Sequence, residues 1–475
     1  MKSRLFLLWT TLVLTIATYG EKRDIHILAT NDMHASISNF PQLAAIVDSL
    51  RAIDPALLVF SAGDNRTGDP LNDKYVIPAY PIVAMMNIVG FNASALGNHE
   101  FDSGSLPRII GMSGFRYLCA NIIADDSTGV KTVPYQVFDV GGLKVGVVGA
   151  IQVGPKGIPA SHPDNLRGIR FVQAEDVLGQ YEWMSRECDA TILLSHLGYE
   201  TDTLMAERFP WIDAIIGGHT HKQLQADEPR HGPSGVLVTQ CKNSLSRVAY
   251  ITLTVDGGHV VDKRVEYISV KDFGRKNPVV EALLDNVCND PKFSRVIARA
   301  ETSFGVKEEL GCLMCDAYID AFGTDFALAN PGGVRLGNLP AGDITVIDAL
   351  KLDPFDNQTV IMTLTGRQLH DLVLSICQRR MYSFPYVGGM LCELTADKDD
   401  PKMIGSVKLM TPDGKPLKKN RRYRVATNSY VSSTNKVEGI ERETKDVLTN
   451  DLLIQYLEKQ QTVSYKGVRR LSYKK

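Results

Sequence analysis

Five short apolar runs between Asp24 and His221 each end in a cluster of Asp, Asn or His, and helical or loop stretches separate them. Asp24 to Thr30, with Ile25, Ile27 and Ala29 alternating, leads into Asn31-Asp32-Met33-His34. Leu57 to Ser61 leads into Gly63-Asp64, and Ala93 to Leu96 into Gly97-Asn98-His99-Glu100-Phe101-Asp102. Thr191 to Leu194 is followed by Ser195-His196, and Ala214 to Ile216 by Gly217-Gly218-His219-Thr220-His221. Between the first three runs, Pro41 to Arg51 and Tyr80 to Val89 carry apolar residues at helical spacing. Strands alternating with helices predict a layered α/β domain. Polar residues at successive strand ends predict a site on one sheet edge.

At 475 residues the chain is too long for one ordinary core. After about residue 270 the pattern changes. Val280, Leu283, Leu284 and Val287 share a helical face, and Asn277-Pro278 suits a helix start. Beyond it, helices over Leu310 to Phe322 and Gly366 to Gln378 mix with strands over Asp325 to Ala329, Thr359 to Thr363 and Arg422 to Thr427. The expected division is a signal peptide at 1–20, a layered α/β domain at 21–276, a connecting helix at 277–298 and a second α/β or α+β domain at 299–475. The basic tail after Tyr465 reads as a solvated end.

Lys2 and Arg4 precede the apolar run Leu5 to Ala17, which closes in small and polar residues up to Gly20. That layout predicts a secretory signal and an exported protein, periplasmic or extracellular, with no stable membrane insertion after cleavage. The alternative is an uncleaved N-terminal anchor. Net charge is only −2, so no basic excess is available to follow a nucleic-acid polymer. The eight cysteines are irregularly spaced among apolar neighbours, and buried free thiols are expected. Cys312 and Cys315 fall in a helical stretch without a second CxxC or a flanking His, which argues against zinc there.

The strand-end residues are metal ligands by type. In an extended segment, positions i and i+2 face the same way, so Asp32 and His34 can reach one ion. Five of the ten histidines (His34, His99, His196, His219 and His221) occupy such positions beside Asp, Asn or Gly. A lone histidine is more often structural, but five at strand ends reverse those odds. The donor set suits two divalent ions about 3.5–4 Å apart, bridged by a carboxylate such as Asp64. Mixed N/O ligation favours Zn, Mn, Fe or Co.

In order, Asp-x-His, Gly-Asp, Gly-Asn-His-Glu, a later His and Gly-His-x-His resemble the signature series of calcineurin-like metallophosphoesterases. The forms TNDMH, GNHEFD, HLGYETD and GGHTH resemble the 5'-nucleotidase/UDP-sugar hydrolase family in particular. The resemblance implies a four-layer α/β/β/α sandwich at the N-terminus and a C-terminal substrate-binding domain. It implies that Asp32, His34 and His221 hold one metal, that Asn98, His196 and His219 hold the other, and that Asp64 bridges them. His99 and Asp102 are similar to the family's catalytic pair; read alone, Asp102 could equally cap a helix.

Asn330-Pro331-Gly332-Gly333-Val334-Arg335 resembles the family's substrate loop, with Pro331 where Gly is usual. Asp353-Pro354-Phe355-Asp356-Asn357 resembles the segment whose Phe stacks on the nucleobase. The second aromatic corresponds to Tyr430, in a stretch lacking the family's Gly-Gly-Asp-Gly, and a usual arginine corresponds to Lys307. The resemblance implies hydrolysis of nucleoside 5'-monophosphates, with nucleotide sugars as further small-molecule substrates. The alternatives are a 2',3'-cyclic-nucleotide phosphodiesterase and a non-catalytic nucleotide-binding protein. The complete ligand set speaks against the last.

Overall fold

Ile25, Ile27 and Ala29 are fully buried, and their alternation places Arg23–Thr30 inside a sheet rather than at its rim. The computed structural model describes residues 22–225, 234–377, 384–400, 403–435 and 437–474, so the expected signal peptide lies outside the described residues. These residues form two compact units.

In the first unit a six-stranded sheet has the order His259–Ser269, Arg247–Asp256, Arg23–Thr30, Leu58–Ser61, Ala93–Ala95, Arg116–Leu118. Its last four strands run parallel, so three of the predicted polar clusters leave the same edge. A five-stranded sheet follows the order Leu237–Thr239, Ala214–Ile216, Ala190–His196, Leu143–Ile151, Tyr135–Val140. Ile27, Phe60 and Ala93 of the first sheet share a core with Val145, Val147 and Leu194 of the second. On the outer face of the second sheet, Val148, Leu193 and Ile215 meet Leu178, Met184 and Met205 from the covering helices. Leu28 and Val59 are equally buried on the outer face of the first sheet, and the helix Phe40–Arg51 turns Leu43, Ile46 and Val47 inward. This is the expected α/β/β/α sandwich.

The second unit is a separate α/β domain. Its main sheet has the order Tyr386–Gly388, Phe326–Ala329, Arg422–Asn428, Gln358–Thr365, Glu441–Leu448. The helix Gly366–Cys377 packs Leu369, Leu372 and Val373 against Val360, Met362 and Val425. The segment Gly68–Pro81, which by sequence order falls within 21–276, belongs to this unit by its contacts.

The structure corrects three readings. The helix expected over 277–298 is continuous only over Pro278–Cys288; a short helix, Pro291–Ser294, and a strand from Val296 follow. Asn289-Asp290-Pro291 causes the break, because proline disfavours helix in the residue before it and Asp290 accepts from the Lys292 N–H as a new cap. The tail after Tyr465 is not a solvated end. Leu471–Lys474 pairs in parallel with Leu391–Ala396, and Arg470 makes a two-pronged contact with Asp316 at 2.6 and 2.8 Å. Seven cysteines are buried free thiols as expected, whereas Cys288 is exposed. Among the described residues, no helix is long and apolar enough to cross a membrane.

Candidate metal centre and substrate pocket

Backbone pairing continues past the strands and draws their polar ends together. Asp32 N donates to Gly63 O and His34 N to Asp64 O, both at 3.0 Å, so the first loop lies along the second. Gly97 permits the next approach: a Cβ there would fall 2.1 Å from Asp64 Oδ1. Asp32 and His34 do not converge by strand pleat, as the sequence suggested. Both have φ of +46°, and Asp64, His219 and His221 also lie at positive φ. Left-handed backbone at non-glycine residues stores strain, and its clustering here marks a built site.

The resulting geometry is close. Ligating atoms of Asp32, His34 and His221 lie within 4.8 Å of one another, as do those of Asp32, Asp64 and His196, and of His34, Asp64 and His99. His34 Nε2 and His221 Nε2 are 3.0 Å apart, and His221 Nε2 is 3.5 Å from Asp32 Oδ1. Asn98 Oδ1 and His219 Nδ1 are 3.0 Å apart.

Partners on the far side of the rings set the tautomers. His34 Nδ1 donates to Thr67 O at 2.9 Å and His196 Nδ1 to Ala62 O at 2.7 Å. Because a carbonyl can only accept, each Nε2 is left with its lone pair free for a metal. His196 Nε2 is fully buried, 3.2 Å from Asp64 Oδ2 and 4.0 Å from Asp32 Oδ1. Two buried carboxylates beside a buried ring nitrogen, with ligating atoms within 4.8 Å of one another, demand positive charge, which a cation bound between them supplies. The residues therefore fit two divalent metal ions.

The charges agree. Burial acts to lower His196, but Asp64 and Asp32 outweigh it and hold the ring up at about 10. A divalent ion meets the same demand for positive charge. Burial lowers His34 and His219, which favours the neutral imidazole that ligation requires. His99 differs. Its Nδ1 lies 2.7 Å from Asp102 Oδ2, and against the effect of burial this contact, with the charges of Asp64, Asp102 and Glu100, raises it to about 9. Asp102 thus faces His99 rather than capping a helix.

Sequence reasoning passed over the residues behind the ligands. Glu100 is fully buried, and its carboxylate accepts from the backbone N–H of Asp64 (2.9 Å), Asn65 (2.8 Å) and Gly97 (2.6 Å). Asn31 Nδ2 donates to Asp32 Oδ2 at 2.7 Å, while its Oδ1 accepts from Cys241 N at 2.8 Å. Asp202, which burial raises to about 7, accepts from Ser195 Oγ and leaves no space for a side chain at Gly217. A buried acid inside GNHEFD and another inside HLGYETD were the available signals.

The substrate candidates lie in the second unit. Lys307, Asn330, Phe355 and Tyr430 line one cavity of about 1100 Å³. Phe355 and Tyr430 are 38% and 51% exposed and available for stacking. Arg335 is not among the lining residues; its guanidinium carbon stands 5.7 Å from the centre of the Phe355 ring. Where the family has a glycine-rich loop, this chain has a short helix, Ser429–Thr434, capped by Asn428, whose side chain accepts from Val431 N at 2.8 Å.

Fold and centre together define a hydrolase of the dinuclear-metal, α/β/β/α class. Residues 25–223 match the calcineurin-like phosphoesterase family, and residues 290–439 match the 5'-nucleotidase C-terminal domain. Protein UshA of Yersinia enterocolitica is 27% identical over 478 residues, covering 86% of this chain and 85% of that protein. The trifunctional nucleotide phosphoesterase protein YfkN of Bacillus subtilis is 25% identical over 467 residues; the match spans 86% of this chain but only 32% of YfkN. The structure of a 5'-nucleotidase precursor from Thermus thermophilus superposes with a TM-score of 0.74 at 24% identity, over 95% of this chain and 99% of that one. The chain belongs to the 5'-nucleotidase/UshA family, in which a calcineurin-like metallophosphoesterase domain is joined to a 5'-nucleotidase C-terminal domain.

Proposed function

We propose that this chain is an exported hydrolase of nucleoside 5'-monophosphates, releasing nucleoside and phosphate, with nucleotide sugars as further substrates. The observation that carries the reading is the buried cluster of Asp32, Asp64 and His196, whose ligating atoms lie within 4.8 Å of one another. Asp32, His34 and His221 would hold one ion and Asn98, His196 and His219 the second, with Asp64 as the carboxylate shared between them. When bound, two divalent ions supply Lewis acidity toward the phosphoryl oxygens and a nucleophile at neutral pH.

The chain's own residues do the rest. His99, kept protonated by Asp102, donates to a phosphoryl or leaving oxygen as charge develops. Phe355 and Tyr430 stack on the base, while Lys307, Asn330 and Arg335 supply polar contacts to the remainder of the substrate. The name of YfkN, a nucleotide phosphoesterase, supports a nucleotide substrate, and the run of residues from Lys2 to Gly20 supports export.

The test is product analysis on the metal-reconstituted protein with AMP, UDP-glucose and 2',3'-cyclic AMP. Adenosine and phosphate from AMP are expected. Turnover of the cyclic nucleotide alone would replace the proposal with a phosphodiesterase, a substitution that the helix at Tyr430 makes worth testing. Binding without turnover on all three would replace it with a nucleotide-binding protein.

A further inference from the structure

Phe355 and Tyr430 stand on irregular or short elements, and both connect to one brace. The helix Thr449–Gln460 opens on two polar residues, Thr449 and Asn450, that are 0% and 1% exposed. Burying such groups is unfavourable unless they are paired, and here their partners belong to the base loop. Asn450 Nδ2 donates to the carbonyls of Phe355 at 3.0 Å and Asp353 at 3.3 Å. Thr449 Oγ1 donates to Asp353 Oδ2 at 2.5 Å, and Thr449 N donates to Asn357 O at 2.9 Å. From the other wall, Ser429 Oγ, adjacent to Tyr430, donates to Asn357 Oδ1 at 3.2 Å.

Residues 353–357 have no regular secondary structure, so strand or helix ladders do not hold them. The brace supplies bonds on both sides of Phe355 and reaches the Tyr430 wall through Asn357. Lys74, from the segment Gly68–Pro81, pairs with Asp356 and adds a more exposed tie.

We propose that Thr449 and Asn450 are positioning residues for nucleobase binding: they hold the Phe355 loop in the one conformation that leaves its ring facing a base. The inference rests on the reading of Phe355 and Tyr430 as base walls. A loop released from the brace spends only part of its time in the competent conformation, and apparent affinity falls by that fraction. Chemistry at the phosphate is untouched.

The experiment uses the full-length, metal-loaded protein with AMP and 4-nitrophenyl phosphate, which has no base. Asn450→Asp keeps the shape but sets a carboxylate against two carbonyl oxygens. It is expected to raise KM for AMP about tenfold, with kcat for AMP and both constants for 4-nitrophenyl phosphate within about twofold. Thr449→Val should act in the same direction, and Thr449→Ser, which keeps the hydroxyl, should restore the parent behaviour. In a Phe355→Ala background, Asn450→Asp should add nothing to KM for AMP. Parallel losses on both substrates, or an unchanged KM for AMP in Thr449→Val and Asn450→Asp, would overturn the inference. If Phe355→Ala itself leaves AMP unaffected, the base-wall reading fails instead, and the two failures are distinguishable.

Discussion

Replacing Glu100 by Gln tests whether the metal centre is held from behind by a single carboxylate. Glu100 binds no metal in the proposed scheme. Its two oxygens accept three backbone N–H groups, from Asp64, Asn65 and Gly97, at 2.6–2.9 Å in a fully buried position. Those groups belong to the two loops that present Asp64 and Asn98. Glutamine keeps one acceptor oxygen and turns its amide N–H₂ toward at least one backbone donor, leaving that donor buried and unpaired. Hydrogen bonds to charged groups contribute about 1.5–3 kcal/mol each, and an orphaned buried donor costs about 1–3 kcal/mol. Losing one or two of the three bonds should therefore destabilise the apo protein by roughly 2–5 kcal/mol. The bridging ligand should also shift, and displaced supports of this kind cost about 10–100-fold in metal affinity. Urea denaturation of the apo protein measures the first effect, and metal titration followed by isothermal calorimetry measures the second. Unchanged metal affinity in a destabilised variant would refute the positioning argument. Changes within about 0.5 kcal/mol would refute the clamp altogether.

Three further outcomes are expected. His99→Asn should lower turnover by about 10²–10⁴-fold while metal analysis still finds near two ions per chain; loss of an ion would reassign His99 as a ligand. Asp353 is raised to about 6 by burial, so the folded state binds its proton more tightly than the unfolded state. The penalty for burying its charge is therefore present above about pH 6 and is relieved as pH falls toward 4. Relative to Asp353→Asn, the parent protein should gain up to about 3 kcal/mol between pH 7 and pH 4, read from urea midpoints, and a flat difference would contradict this. Arg470→Ala should destabilise the second unit by about 1–3 kcal/mol in thermal or urea unfolding, because Asp316 loses both prongs of its contact.

Much of the architecture was legible because it is local. Alternation at Ile25, Ile27 and Ala29 and helical spacing at Leu43, Ile46 and Val47 are short-range patterns, and the structure places both elements within a residue of the expected bounds. The positions of Asp32, Asp64 and Asn98 were legible for the same reason, since in a parallel sheet the residue after each strand reaches the same edge. The single sheet edge expected for all the ligands is corrected, because His196, His219 and His221 follow strands of the second sheet. The second domain was legible in its helices and strands, but less so at its ends. Proline at position 291 shortened the connecting helix, and charge alone made the C-terminal tail look solvated when Asp316 and the edge of Leu391–Ala396 were waiting for it.

Chain order by itself determined which residues could be ligands, because donor chemistry and strand ends are written side by side. Tertiary structure alone decided how they serve. The carbonyls that orient His34 and His196 come from Thr67 and Ala62, and the latter lies 134 positions away. The left-handed turns at Asp32 and His34 are tied by their N–H groups to Gly63 O and Asp64 O, and the turn at Asp64 by its own N–H to Glu100. The brace from Thr449 and Asn450 to Phe355 joins residues about a hundred apart. A residue's identity and local pattern are properties of sequence. The partner that fixes its tautomer, its strain or its freedom to move is a property of folding, since hydrogen bonds of this length form only once distant segments have been brought within 3 Å or so.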